Sequence, residues 1–205
     1  VYPTDDEADY ARVVGVAHIV RAIAKETKPD FQIGVQIMTN ALKASVAVAK
    51  VSGGSFLRCY ALVGQTLSSW GMIEAHPLEF LRYRKSIGAE HIKLIAEVEG
   101  MHYKWFGEEK PVQEVARSAF YAGADAVEVA HPDEETNLRQ IHDIKAKLPD
   151  LPVILGGHTN HENVARRLAK ADGAFVGSAF ENGNRTSPVD SKLVRDYMDI
   201  VRSLE

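Results

Sequence analysis

Two periods of apolar positions alternate along this chain. Between Asp5 and Lys28, Ala8, Ala11, Val14, Ile19, Ala22 and Ile23 recur at helical spacing and predict a helix that Pro29 ends. Phe31–Met38 is a short apolar run that reads as a strand. Asn40–Ser52 follows as a helix of small residues, stopped by Gly53 and Gly54. The pattern then predicts a strand over Ser55–Ala61, a long loop through Gly64 and Gly71, and a helix over Leu78–Ile87 with Gly88 as its stop. A strand over Ile92–Val98, a helix over Val112–Tyr121, a strand over Ala126–Ala130 and a helix over Glu134–Leu148 come next. Pro188–Leu204 reads as the closing helix.

Between the last two helices lies the most informative segment, PVILGGHTNHENVARRLAKADGAFVGSAF, residues Pro152 to Phe180. It holds two short apolar runs, one ending at Gly156-Gly157 and the other at Gly177-Ser178. A helix lies between them, with Thr159 and Glu162 spaced as a capping box.

Strand and helix patterns that alternate predict an α/β fold with a parallel sheet. Six strands can be counted, whereas a (β/α)8 TIM barrel needs eight, and the chain opens on a helix. The expectation is one domain over residues 1–205: a TIM barrel without its first strand, first helix and second strand, leaving the third to eighth strands. An open six-stranded doubly wound sheet is the alternative.

Composition narrows the function. The 205 residues are 45% apolar and 25% charged, which suits a globular domain with a large core. A formal net charge of −4 and the lack of a basic stripe argue against a nucleic-acid partner. The lone Cys59 sits in an apolar run and reads as a buried structural thiol. No apolar stretch approaches ~20 residues, so no membrane-spanning segment is expected. No signal peptide is visible, which makes the cytoplasm the default location. A homo-oligomer, most simply a dimer, is the base-rate expectation.

In parallel α/β folds, ligands bind beyond the carboxyl ends of the strands. The last two exits carry Gly156, Gly157, His158, Gly177 and Ser178. Glycine-ended turns beside helix starts leave backbone N–H groups for an anion, so these residues are candidates for a phosphate site. The exit after Ile92–Val98 carries Glu97, Glu99 and His102, which suit acid–base work or a divalent metal, the one cofactor the pattern suggests. The next exit carries Glu128, an acid inside a strand that needs a partner, and His131, which stands before Asp133, a candidate helix cap. Arg58 lies inside an apolar strand and needs an anionic partner, with Glu97 or a ligand as candidates. Gln36, Asn40 and Glu74 stand at neighbouring exits as substrate-binding candidates, and Asn40 could simply cap the helix after it. Tyr103, Trp105 and Phe106 could form a lid, or anchor their loop against the rim.

With those residues in view, the chain resembles the BtpA family, which includes SgcQ-like proteins. The resemblance runs from Val1 to the C-terminus. It is carried by IGVQIMTNALKA, SFLRCYALVGQ, GMIEAHPLEFLRYRKSIGA, IKLIAEVEGMH, the glycine-rich segment and SPVDSKLVRDYMDIVRS. It implies a ribulose-phosphate-binding type of barrel, with a strand–helix–strand ahead of the point where this chain starts. One member of the family is named for photosystem I biogenesis. Three places depart from the family pattern. Glu99 and Met101 replace an imidazole and a lysine, Ala130-His131-Pro132-Asp133 replaces a Thr-Gly pattern, and Tyr60 replaces an asparagine. Met101 cannot form a Schiff base, so a lysine mechanism has no obvious candidate.

The leading expectation is a protein that binds a phosphorylated small metabolite, a sugar or nucleoside phosphate. Glu97, Glu99, His102, Glu128 and His131 would supply isomerase, epimerase or lyase chemistry. Two alternatives stand beside it. One is a non-catalytic assembly or regulatory protein that keeps the phosphate site; the other is a metal-dependent hydrolase using Glu97, Glu99 and His102.

Overall fold

A computed structural model describes residues 8–69, 71–181 and 187–204. Six strands form one parallel sheet: β1 (Gly34–Val35), β2 (Phe56–Cys59), β5 (Lys93–Glu99), β6 (Ala126–Val129), β7 (Val153–Leu155) and β8 (Gly173–Ala174). Their spatial order follows the chain, from β1 through β2, β5, β6 and β7 to β8. The sheet is strongly curved, because Phe56 of β2 reaches Phe175, just past β8, with ring centroids 6.3 Å apart. Among the described residues β1 and β8 do not pair, so the architecture is a parallel half-barrel and bears out the six-strand reading.

The two faces of the sheet do different work. Leu57, Cys59, Leu94, Ala96, Val98, Val127, Val129, Val153 and Leu155 point outward and are buried under the helices. Helix α2 (Leu42–Ser52) adds Val46 and Ala49, α4 (Val112–Tyr121) adds Val115 and Ala119, and α5 (Glu134–Lys147) adds Ile141 and Ile144. The inward face carries Phe56, Arg58, Glu97, Glu128 and Phe175, and so holds the polar groups. Helix α1 (Tyr10–Glu26) packs on α2, and α3 (Pro77–Ser86) lies beyond the hairpin described next.

Several predicted boundaries are corrected. The first helix begins at Tyr10, where Asp9 accepts the Arg12 N–H; residues 5–7 of the predicted helix lie outside the described residues. The first strand shrinks to two residues because serine hydroxyls take over its ends. Ser55 Oγ accepts the Ile33 N–H and Ser45 Oγ accepts the Ile37 N–H, both at 3.0 Å. The predicted loop through Gly64 and Gly71 contains an antiparallel hairpin, β3 (Gln65–Ser68) with β4 (Gly71–Glu74). Its strands are four residues each and bury only Thr66 and Ile73, too little apolar signal to read from the sequence.

The capping box also fails. Asn160 Oδ1, not Thr159, accepts the amides of Glu162 and Asn163, at 2.9 and 3.1 Å. The helix that follows, α6, spans only Val164–Leu168. Asp133 does cap α5, and Asp190 caps α7 (Ser191–Arg202).

Candidate functional site

A buried charged centre occupies the concave face. Glu97 and Glu128 are register partners on adjacent strands, and both are essentially without solvent exposure. Arg58 reaches across from β2. Its Nε donates to Glu128 Oε2 at 2.5 Å and its Nη2 donates to Glu128 Oε1. The same Nη2 lies 3.6 Å from Glu97 Oε2. The expected partner Glu97 is therefore secondary, and Glu128, two strands away, holds the arginine. The guanidinium sits 5.8 Å from the Tyr60 ring centre and 5.2 Å from that of Phe175.

The turn after β5 wraps the other carboxylate. Glu97 Oε1 accepts the N–H of His102 at 2.9 Å and of Tyr103 at 3.3 Å. Glu97 Oε2 faces His102 Nδ1 at 3.3 Å, off hydrogen-bond alignment, and neither atom makes a hydrogen bond among the described residues. The His102 ring stacks on Tyr60, with centroids 4.4 Å apart and planes 6° from parallel. Two glycines make room for this centre. A Cβ at Gly100 would lie 2.5 Å from Glu97 Oε1, and one at Gly156 would lie 2.2 Å from Glu128 Oε1.

Burial governs the electrostatics. It pushes the Glu128 carboxyl above its ordinary range, against the opposing pull of its hydrogen bonds from Arg58. Burial alone would lower Arg58, but the hydrogen bond and charge of Glu128, with Glu97 behind it, outweigh that and raise it. Burial also raises Glu99, with Lys104 and His131 pulling the other way. The Cys59 thiol is pushed far up by burial, as suits an inert core residue.

Glu99 does not join Glu97. A bulge between them pairs Glu99 with Val129, and its carboxylate meets Lys104 at 4.0 Å. His131 Nδ1 accepts the Asp133 N–H at 3.1 Å. Among the described residues no group of three or more His, Cys, Asp or Glu converges to hold an ion.

At the other side of the mouth, His158 and Ser178 line one pocket of about 400 Å³, with Pro132, Thr159, Asn160 and Arg167. The N–H groups of Gly157, Gly177 and Ser178 have no acceptor among the described residues. Gly156 differs, since its N–H donates to the Val129 carbonyl at 2.9 Å and its missing side chain serves Glu128. His158 adopts φ 57°, an uncommon conformation outside glycine that turns the loop over the pocket. Burial lowers the His158 imidazole, and the nearby Arg167 lowers it further.

Sequence reasoning missed Arg167, which is 3% exposed and donates to the carbonyls of His131 and Pro132 at 3.0 and 2.8 Å. These bonds tie α6 to the loop after β6. Its signal is an arginine at a helical position that faces the core.

The remaining candidates are dispersed. Asn40 is a clip, because its side-chain amide donates to the Ala61 carbonyl at 2.9 Å and its oxygen accepts the Ala61 N–H at 3.2 Å. Asn40 and Glu74 line a separate pocket of about 430 Å³ with Lys43 and Glu79. Gln36 Nε2 is buried without a partner. Of the aromatic trio, Tyr103 anchors by donating to the Val63 carbonyl at 2.8 Å, and Trp105 holds Lys110 over its ring at 4.2 Å. Phe106 is half exposed.

Comparison with known proteins places this geometry. The BtpA family matches residues 2–203. The chain belongs to the BtpA family. A mitochondrial protein of Caenorhabditis elegans is 29% identical over 181 residues, covering 86% of this chain; the chain spans 65% of that relative's length. The photosystem I biogenesis protein BtpA of Synechocystis is 22% identical over 170 residues, covering 82% of this chain and 59% of its own. Among solved structures, N-(5'-phosphoribosyl)anthranilate isomerase from Pyrococcus furiosus superimposes with a TM-score of 0.62 at 17% identity, covering 91% of this chain and 80% of its own. KGPDC from Streptococcus mutans gives 0.60 at 13%, covering 97% and 84%. These structural likenesses establish the fold. Among the described residues no helix is long and apolar enough to cross a membrane.

Proposed function

We propose that this chain binds a phosphorylated small metabolite, a sugar or nucleoside phosphate, and moves a proton on it in an isomerase, epimerase or lyase type of step. One observation carries the reading: Gly156 packs against the buried Glu128 carboxylate and leads directly into the turn that lines the 400 Å³ pocket. The anion seat and the acid–base centre therefore share one loop. The phosphate would rest on the amides of Gly157, Gly177 and Ser178, with His158 beside it. Glu97, His102 and Glu128 would face the reacting end, with Glu99 and His131 at the rim. Anchoring a remote phosphate holds a reacting carbon against an acid–base group, which is an efficient use of binding energy. The half-barrel shared with an isomerase of a phosphoribosyl compound is consistent with this reading.

The test is a thermal-shift screen of phosphorylated metabolites, with inorganic phosphate included. A rise in Tm that Gly177→Asp abolishes supports the seat. No rise with any of them counts against it.

A second reading, a ligand-sensing assembly or regulatory protein, is favoured by one feature. Glu128 is already held by Arg58, and Glu97 Oε1 already accepts two amides. Binding without exchange of any ligand C–H for deuterium in D2O would favour it.

A further inference from the structure

Five candidate acid–base residues are too many for one proton, and the geometry ranks them. Glu128 is committed to Arg58 through both oxygens. Glu97 Oε2 is sequestered, and so is the His102 nitrogen it faces. The His102 side chain is 31% exposed, so its outward nitrogen is Nε2. The ring cannot swing freely, because Tyr60 lies flat against it and its own backbone N–H is held by Glu97 Oε1. A buried carboxylate, an imidazole clamped by an aromatic face and an open second nitrogen form a dyad.

We infer that His102 Nε2 is the proton-transfer atom of this site and that Glu97 is its positioning residue. Resting on the reading above, the inference assigns roles within the same mouth. Glu97 Oε2, 3.3 Å from Nδ1, favours the ring proton on that nitrogen, which leaves the Nε2 lone pair facing the ligand. A proton leaving the ligand's O–H or C–H goes to Nε2. The ring becomes an imidazolium whose Nδ1–H faces the ionised Glu97, and the electron pair stays on the ligand. Return of the proton from Nε2 to a neighbouring atom completes an isomerisation with no external reactant. Glu128 is the counter-ion that fixes Arg58 and takes no proton from the ligand. The charged and titratable groups facing the ring are Glu97, Arg58, Glu128 and Tyr60, with Glu99 and Lys104 on its own loop.

Two measurements on the intact chain test this. Long-range ¹H–¹⁵N correlation at pH 8 reads the His102 tautomer. Carbethoxylation with diethyl pyrocarbonate, mapped by peptide mass, reads the nucleophilicity of Nε2. The wild type is expected to carry its proton on Nδ1. Glu97→Gln should give mixed tautomers and a several-fold slower modification of His102, and Glu97→Asp should restore most of the rate. Glu128→Gln should leave the tautomer unchanged. A proton on Nε2 in the wild type overturns the inference outright, whether or not the variants fold, as does modification at an equal rate in Glu97→Gln. The same map separates the two proposals. Protection of His158 by inorganic phosphate tests the anion seat, whereas the state of His102 does not depend on it.

Discussion

The Glu128 carboxylate rests against Gly156, at a distance that leaves no room for a side chain: a Cβ there would come within 2.2 Å of Oε1. A residue of β6 and the residue just past β7 thus couple the charged centre to the loop beyond it. Gly156→Ala is expected to displace the carboxylate from Arg58 and cost about 1–3 kcal/mol as overpacking, read from urea unfolding. Gly15→Ala is the control. Gly15 lies in α1 with nothing within 4 Å of its built Cβ, so the substitution should stabilise by about 0.5–1 kcal/mol.

The Arg58–Glu128 pair gives a sharper test. Arg58→Leu leaves a buried carboxylate unpaired and is expected to cost about 3–5 kcal/mol at neutral pH. Without the arginine, burial raises Glu128 further, with only His102 pulling the other way. A raised carboxyl contributes stability below its unfolded value and loses it as pH rises, so the deficit should shrink on acidification. The double variant Arg58→Leu/Glu128→Gln should recover part of the loss. A deficit in Arg58→Leu that is flat between pH 4 and 8 would refute the assignment.

His158 reports on the anion seat. Burial, then Arg167, holds its imidazole below the ordinary 6.5. Its share of folding stability is therefore complete above that value and is lost as pH falls through the lower folded one. A bound phosphate reverses the local charge and favours the imidazolium. In an NMR titration, saturating inorganic phosphate should move the His158 midpoint upward, and phosphate should bind more tightly as pH falls towards 6. An unmoved midpoint would place the anion elsewhere.

The Arg167 bridge predicts coupling between α6 and the loop after β6. Arg167→Met removes the bonds to the His131 and Pro132 carbonyls while keeping much of the side-chain bulk. Loss of about 1–3 kcal/mol is expected, since the buried Asn137 oxygen and two partly buried carbonyls are left without their donor. Amide exchange should quicken at residues 131–133 and 164–168 together. Faster exchange in one segment alone would mean that the bridge does not couple them.

Much of the fold was legible because period is a local property. The six parallel strands and the long helices stood out through runs such as Leu94-Ile95-Ala96 and Val115-Ala116 beside Ala119. The hairpin was hidden, because among its described residues Thr66 and Ile73 are the only buried side chains and Leu67 and Met72 point to solvent. Glu128 was legible as an acid that needed a partner, but its partner was not. Which strand faces Arg58 depends on sheet curvature, which brings Phe175 beneath the same guanidinium. The room made by Gly100 and Gly156 was equally invisible, since a glycine after a strand reads as a turn whether it serves the chain or a neighbouring carboxylate.

The most direct measurement is calorimetric titration of ribose 5-phosphate and of ribose into the wild type and Ser178→Asp. The phosphorylated sugar should bind the wild type, while ribose should bind at least tenfold more weakly, and the introduced carboxylate at Ser178 should abolish binding of the phosphate form. Equal affinity for both sugars, or unchanged binding of ribose 5-phosphate in Ser178→Asp, would contradict a phosphate seat between His158 and Ser178.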